Sequence, residues 1–192
     1  MSLFKVYNNL LELLLEHKEW LLLELGKIPE KTYLLFDFPG QAELYSVHDC
    51  VEKLVQFLTQ HDIRIAALYF TESRHASEPH MFTAALLATL ASMLRLSLPA
   101  VNVLSKIDVA PRLPARLETF TDPVDLAFMF DASDDEDENG KKIRKSKRRR
   151  IRERVSEQLA DVASSYGLVK FNPLVVTDER LLKMIIIQVR PL

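Results

Sequence analysis

One cysteine in 192 residues, Cys50, leaves no internal disulfide framework and no cysteine-based structural zinc site, and it suits a reducing cytosolic or nuclear setting. Excess charge of either sign is also missing. The formal net charge is −2, so overall electrostatics point to neither a nucleic-acid binder nor a membrane-surface protein. The leucine-rich start is interrupted by Glu12, Glu16, His17, Lys18 and Glu19, well short of the roughly 20 apolar residues a membrane span needs. No small-residue cleavage site follows it, as a signal peptide would require. Internal repeats are absent, as is the Gly-x-Ser-x-Gly elbow of a serine hydrolase. His17, His48, His61, His75 and His80 show no repeated metal-ligand spacing; His75, Glu78 and His80 could ligate, but a surface role suits them better. Glycine is scarce too: Gly26, Gly40, Gly140 and Gly167 leave no pair with the spacing Gly-x-x-x-x-Gly-Lys-[Ser/Thr].

What is present is enough apolar material, 48% of residues, to bury the core of one domain of ordinary size. Apolar residues at 3, 6, 7, 10, 11, 14, 15, 21, 22 and 25 predict one amphipathic helix over residues 3–25, closed by Gly26 and Pro29. The run Thr32-Tyr-Leu-Leu-Phe-Asp37 predicts a buried parallel strand that feeds a loop at Phe38-Pro39-Gly40, with a helix over 41–60 after it. Residues 63–70, 100–104 and 168–176 predict three further strands. Between the first two, residues 79–96 form a helix with Pro79 at its natural first position. Strand and helix in alternation define an α/β protein with an open, mainly parallel sheet and helices on both faces.

One segment breaks the pattern. Residues 131–138 form an acidic block, and residues 141–154 carry ten basic side chains against the single acid Glu153. Such neighbouring blocks usually form a solvated loop leading into a charged helix. The sharper alternative is a basic patch for nuclear localisation or nucleic acid.

Ligands of open parallel sheets bind beyond the carboxyl ends of the strands, so the strand-end residues carry the chemistry. At the first predicted strand end stands Asp37-Phe-Pro-Gly40, then Gln41. In nucleotide hydrolases an aspartate there holds magnesium, a glycine three residues on lets its N–H approach the γ-phosphate, and a glutamine next to it orients the attacking water. Alone, Pro-Gly after a strand is more often a plain turn. At the third strand end stands Ser105-Lys-Ile-Asp108, similar to the guanine-specificity motif Asn-Lys-x-Asp with serine in first place. Its carboxylate accepts from the guanine N1–H and exocyclic amine, a donor pair adenine lacks, while the lysine stem packs over the base. Alone, Lys106 and Asp108 would read as surface residues; both motifs in order, each at a strand end, are much harder to meet by chance. Glu72-Ser73, at the second strand end, suggests either a site-lining pair or a helix-entry cap.

Leu34-Leu-Phe-Asp-Phe-Pro-Gly-Gln-Ala-Glu-Leu44, Ala88-Thr-Leu-Ala-Ser-Met-Leu94, Leu98-Pro-Ala-Val-Asn-Val-Leu-Ser-Lys-Ile-Asp108 and Gly167-Leu-Val-Lys-Phe-Asn-Pro-Leu174 together resemble the GPN-loop GTPases, and most of all the family's second paralogue. The resemblance covers nearly the whole chain. It implies a Ras-like P-loop fold over residues 1–192, with 131–150 as a disordered charged insertion. It implies GTP with Mg2+ as ligand, with Asp37 and Gln41 catalytic, Asp37 on the metal, and Gly40, Ser105, Lys106 and Asp108 on the nucleotide. It also implies a homodimer or a heterodimer with a paralogue, a link to RNA polymerase II assembly and nuclear import, and a cytoplasmic protein that shuttles to the nucleus. The family's P-loop, first strand and Gly-Pro-Asn tripeptide have no counterpart here; near the expected position of the tripeptide stands Ser2-Leu-Phe4. The expectation is therefore a domain without its phosphate loop, inactive by itself. The alternative is a catalytically silent scaffold that keeps the fold and dimer surface.

Overall fold

A computed structural model describes residues 3–29, 31–77, 79–109, 154–155, 158–159 and 170–190. They fall into two compact units. The first holds residues 1–65 and 94–97, and the second residues 66–93 and 98–192. The acidic block and the basic segment, Arg154 apart, lie outside the described residues.

In the first unit, α1 (Leu3–Glu16) and α2 (Lys18–Leu25) replace the single helix predicted over 3–25. The break falls at His17, within the polar run that interrupts the apolar stripe. Lys18 stands where an apolar residue would continue the three-and-four spacing. Its ammonium instead lies 5.0 Å from the centre of the Phe57 ring, a cation–π contact made by a side chain that stays exposed. The predicted helix over 41–60 also divides, into α3 (Glu43–Ser46) and α4 (Cys50–Gln60). Asp49 takes the N-cap position of α4 without capping its own backbone. Its carboxylate pairs with Arg95 instead, and Glu52 Oε2 lies 3.3 Å from the same guanidinium. Leu54, Phe57 and Leu58 of α4 bury against Leu14, Leu15, Leu21, Leu22 and Leu25, and against Phe38, Ile63 and Ile65.

The second unit holds the sheet: β1 (Ala67–Glu72), β2 (Ala100–Ser105) and β3 (Phe171–Leu174), all parallel, in the order β1-β2-β3. α5 (Pro79–Leu96) makes the crossover from β1 to β2, with the bounds the sequence predicts. Central β2 is buried along Val101–Leu104, as a strand covered on both faces should be. Val101 and Val103 point to one face, where Leu174 and α6 (Glu179–Val189) close over them through Leu181, Leu182, Ile185 and Val189. On the opposite face Asn102 registers with Phe171, whose ring meets Phe82 of α5 with centres 5.4 Å apart. α6 begins with Asp178, whose side chain accepts the Arg180 N–H and satisfies one of the free donors of the first turn.

The strand predicted over 32–37 does not form. That segment is irregular and open to solvent, with Leu35 92% exposed and Tyr33 73% exposed. An apolar run becomes a buried strand only when a neighbouring strand takes up its backbone N–H and C=O groups, and none among the described residues pairs with it. β1 also starts later than predicted, at Ala67 instead of Ile63, because Ile63 and Ile65 are drawn into the core around α4.

Candidate functional site

The residues of the first motif belong to the first unit. Asp37 is exposed, and Gly40 has no left-handed backbone and no atom within 4 Å of where a Cβ would stand. Neither strain nor crowding among the described residues calls for glycine there. Tyr45, which the sequence does not single out, anchors this loop: its hydroxyl donates to the Pro39 carbonyl at 2.7 Å. Burial raises the Tyr45 pKa, and the Asp37 charge adds to the rise. The Gln41 Oε1 is buried with no hydrogen-bond partner among the described residues. An acceptor in that state forfeits roughly 1–3 kcal/mol until a donor reaches it.

The second motif belongs to the second unit, at the carboxyl end of β2. Ser105 is the last residue of the strand, and its hydroxyl donates to the Thr71 carbonyl of β1 at 3.2 Å. Lys106 turns the chain with φ 57°, which opens the 3-10 turn Ile107–Val109 and leaves Asp108 exposed on it. The Lys106 ammonium lies 3.3 Å from Glu72 Oε1, and the Arg74 Nε lies 3.5 Å from the same oxygen. Ser105, Lys106 and Asp108 are thus brought together with Glu72 and Ser73, the pair that the sequence places at the end of the preceding strand. Of the candidate set His75, Glu78 and His80, Glu78 lies outside the described residues; among the described residues no group of three or more His, Cys, Asp or Glu side chains could hold an ion. No described helix is long and apolar enough to cross a membrane.

A parallel sheet covered on both faces, with a Ser-Lys-x-Asp turn at the carboxyl end of its central strand, is the framework of a P-loop-type nucleotide-binding α/β protein. A family model described as "Conserved hypothetical ATP binding protein" matches residues 10–185. Among curated relatives, "GPN-loop GTPase 2" of Xenopus laevis is 32% identical over 179 residues, 92% of this chain and 53% of that protein. "GPN-loop GTPase 2" of Danio rerio is 32% identical over 174 residues, 88% and 52% respectively. The protein of the same name in Schizosaccharomyces pombe is 30% identical over 167 residues, 85% and 50%. The chain belongs to the GPN-loop GTPase family. It spans about half the length of the relatives it matches.

Cys50 is buried, with its thiol donating to Asn8 Oδ1 at 3.5 Å. Burial is the main cause that raises its pKa above the ordinary 9.0, with the Glu12 charge adding to it. The folded chain therefore holds this proton more tightly than the unfolded chain does. The resulting stability is complete below pH 9.0 and is lost as pH rises through the folded value. Denaturant titrations at pH 7.5 and pH 10, about one unit beyond the ordinary thiol value, should show a midpoint loss that shrinks in Cys50→Ala relative to the wild-type chain.

Proposed function

We propose that this chain is a GTP-binding subunit of a GTP hydrolase. Lys106 and Asp108 select guanine with Ser105 framing the turn, Asp37 handles magnesium, Gly40 meets the γ-phosphate, and Gln41 positions the attacking water. The observation that carries the reading is the Ser105-Lys-Ile-Asp108 turn: it leaves the central strand at its carboxyl end and leaves Asp108 free to accept from a base. The Gln41 Oε1, without a partner among the described residues, supports the second part, since an acceptor held out of bulk solvent is suited to a single water donor. Asp37, an exposed carboxylate, fits magnesium, which keeps most of its ligands as water and phosphate oxygens. The ion, when bound, supplies charge neutralisation on the β- and γ-phosphates. Pairing with a second copy or a paralogue, a role in RNA polymerase II assembly, and passage between cytoplasm and nucleus are parts of the same proposal, supported by family membership.

A second reading has its own observation. Residues 32–37 form no strand, so Asp37 stands exposed on irregular chain and not at the carboxyl end of a strand of the described sheet. That favours a silent interaction protein, which keeps the fold without tight phosphate binding. Calorimetric titration with GTP and with ATP, each in magnesium, separates the two. Micromolar GTP binding that is lost in Asp108→Ala supports the GTP-binding reading; no binding of either nucleotide supports the scaffold. Binding of ATP as tight as GTP would overturn the role given to Asp108.

A further inference from the structure

Ser73 is fully buried, the first residue after β1, and it does not belong to the motif that Asp108 completes. Its hydroxyl donates to the carbonyl oxygen of Lys106, 2.6 Å away. The same carbonyl accepts the Val109 N–H at 3.1 Å, closing the turn that carries Asp108. Lys106 stands at φ 57°, a left-handed conformation that a residue with a Cβ keeps only where its surroundings hold it. Two other links reach this turn from β1. The Ser105 hydroxyl bonds the Thr71 carbonyl, and Lys106 pairs with Glu72 through side chains that are 60% and 33% exposed, where water and salt weaken the attraction. The Ser73 bond is the one that fixes the left-handed residue itself from a site closed to water.

We propose that Ser73 is a positioning residue for base selection: its hydroxyl holds the left-handed turn at Lys106, and through that turn the direction in which Asp108 presents its carboxylate. This rests on the reading of Asp108 as the guanine acceptor. Ser73 touches no base. Without its hydroxyl the Lys106 carbonyl keeps the Val109 N–H alone, and the turn gains access to other backbone states. Each of those states moves Asp108 away from two donors that must be met together. Affinity then falls for a base that depends on Asp108 and stays unchanged for one that does not.

The experiment uses the full chain in four forms: wild type, Ser73→Ala, Asp108→Ala and Thr89→Ala. Thr89 is a buried hydroxyl that bonds the Ala85 carbonyl within α5, so its loss serves as a control for destabilisation alone. GTP and ATP affinities are measured in magnesium, together with hydrogen exchange of residues 101–109 in the nucleotide-free chain. Ser73→Ala should weaken GTP by about tenfold, the equivalent of one good hydrogen bond, with ATP unchanged. Exchange at residues 107–109 should quicken while residues 101–104 keep their protection. Thr89→Ala should leave the GTP to ATP ratio as in wild type. An unchanged ratio in Ser73→Ala, or an equal loss for both nucleotides, overturns the proposal. If the wild-type chain shows no preference for GTP, or Asp108→Ala binds GTP as wild type does, base selection fails together with the reading beneath it. Exchange at 107–109 then still decides whether Ser73 holds the turn.

Discussion

Asp108→Asn should move the nucleotide preference of this chain from GTP to xanthosine triphosphate. A carboxylate accepts from both the N1–H and the exocyclic amine of guanine, and each such charge-assisted hydrogen bond contributes about 1.5–3 kcal/mol. An asparagine amide offers one acceptor and one donor. Facing guanine, its NH2 meets a second donor, so one bond is lost and one buried group is left unmatched. Xanthine carries a carbonyl where guanine carries the amine, and the asparagine NH2 is its complement. We predict a loss of GTP affinity of about 100-fold or more, with xanthosine triphosphate gaining by at least tenfold. Competition titrations of the two nucleotides against one fluorescent analogue would measure both. Equal GTP affinity in wild type and variant would remove Asp108 from the site. Because Asp108 is exposed and its turn is held by backbone and hydroxyl contacts, the change should leave the unfolding midpoint nearly unaltered.

Phe171→Ala should be the most damaging single truncation in the sheet. Phe171 is 1% exposed and faces the equally buried Phe82, so its ring contributes both area and a tilted aromatic contact between β3 and α5. Truncating a buried phenylalanine costs about 3–5 kcal/mol, a large part of the 5–15 kcal/mol that holds an ordinary domain together. Urea denaturation should show a midpoint shift of that size with an unchanged slope. Phe70→Ala, on a side chain 61% exposed, should change stability by roughly 0.5 kcal/mol or less. A shift for Phe171→Ala no larger than for Phe70→Ala would mean that β3 does not pack as described. Arg95→Ala gives a smaller, separate effect, about 1 kcal/mol, since it releases Asp49 and Glu52 at the start of α4.

Much of the architecture is legible in the chain alone. Helix α5 and strand β2 lie where the apolar pattern puts them, because both are long or continuous runs whose burial dominates every other local preference. The Ser105-Lys-Ile-Asp108 motif falls at a strand end as expected, since a buried run that stops at polar residues must leave the sheet there. The single helix over 3–25 is a different case. Periodicity says which face is apolar but not whether the polar run Glu16–Glu19 can be carried without a break, and that depends on where Lys18 finds the Phe57 ring.

The sequence by itself determined the α/β class, the parallel alternation from β1 through α5 to β2, the family and the place of Ser105-Lys-Ile-Asp108 at a strand end, because hydrophobic periodicity and residue type are local properties. Only the tertiary structure decided the rest. Residues 32–37 read as a strand, yet a strand exists only with a neighbour, and pairing is a property of two segments. Tyr45 closes on Pro39, and Ser73 on a carbonyl 33 residues away, through bonds that no spacing announces. The left-handed turn at Lys106 arises in the same way: nothing about lysine favours it, and it persists because a buried hydroxyl from the adjacent strand end reaches its carbonyl.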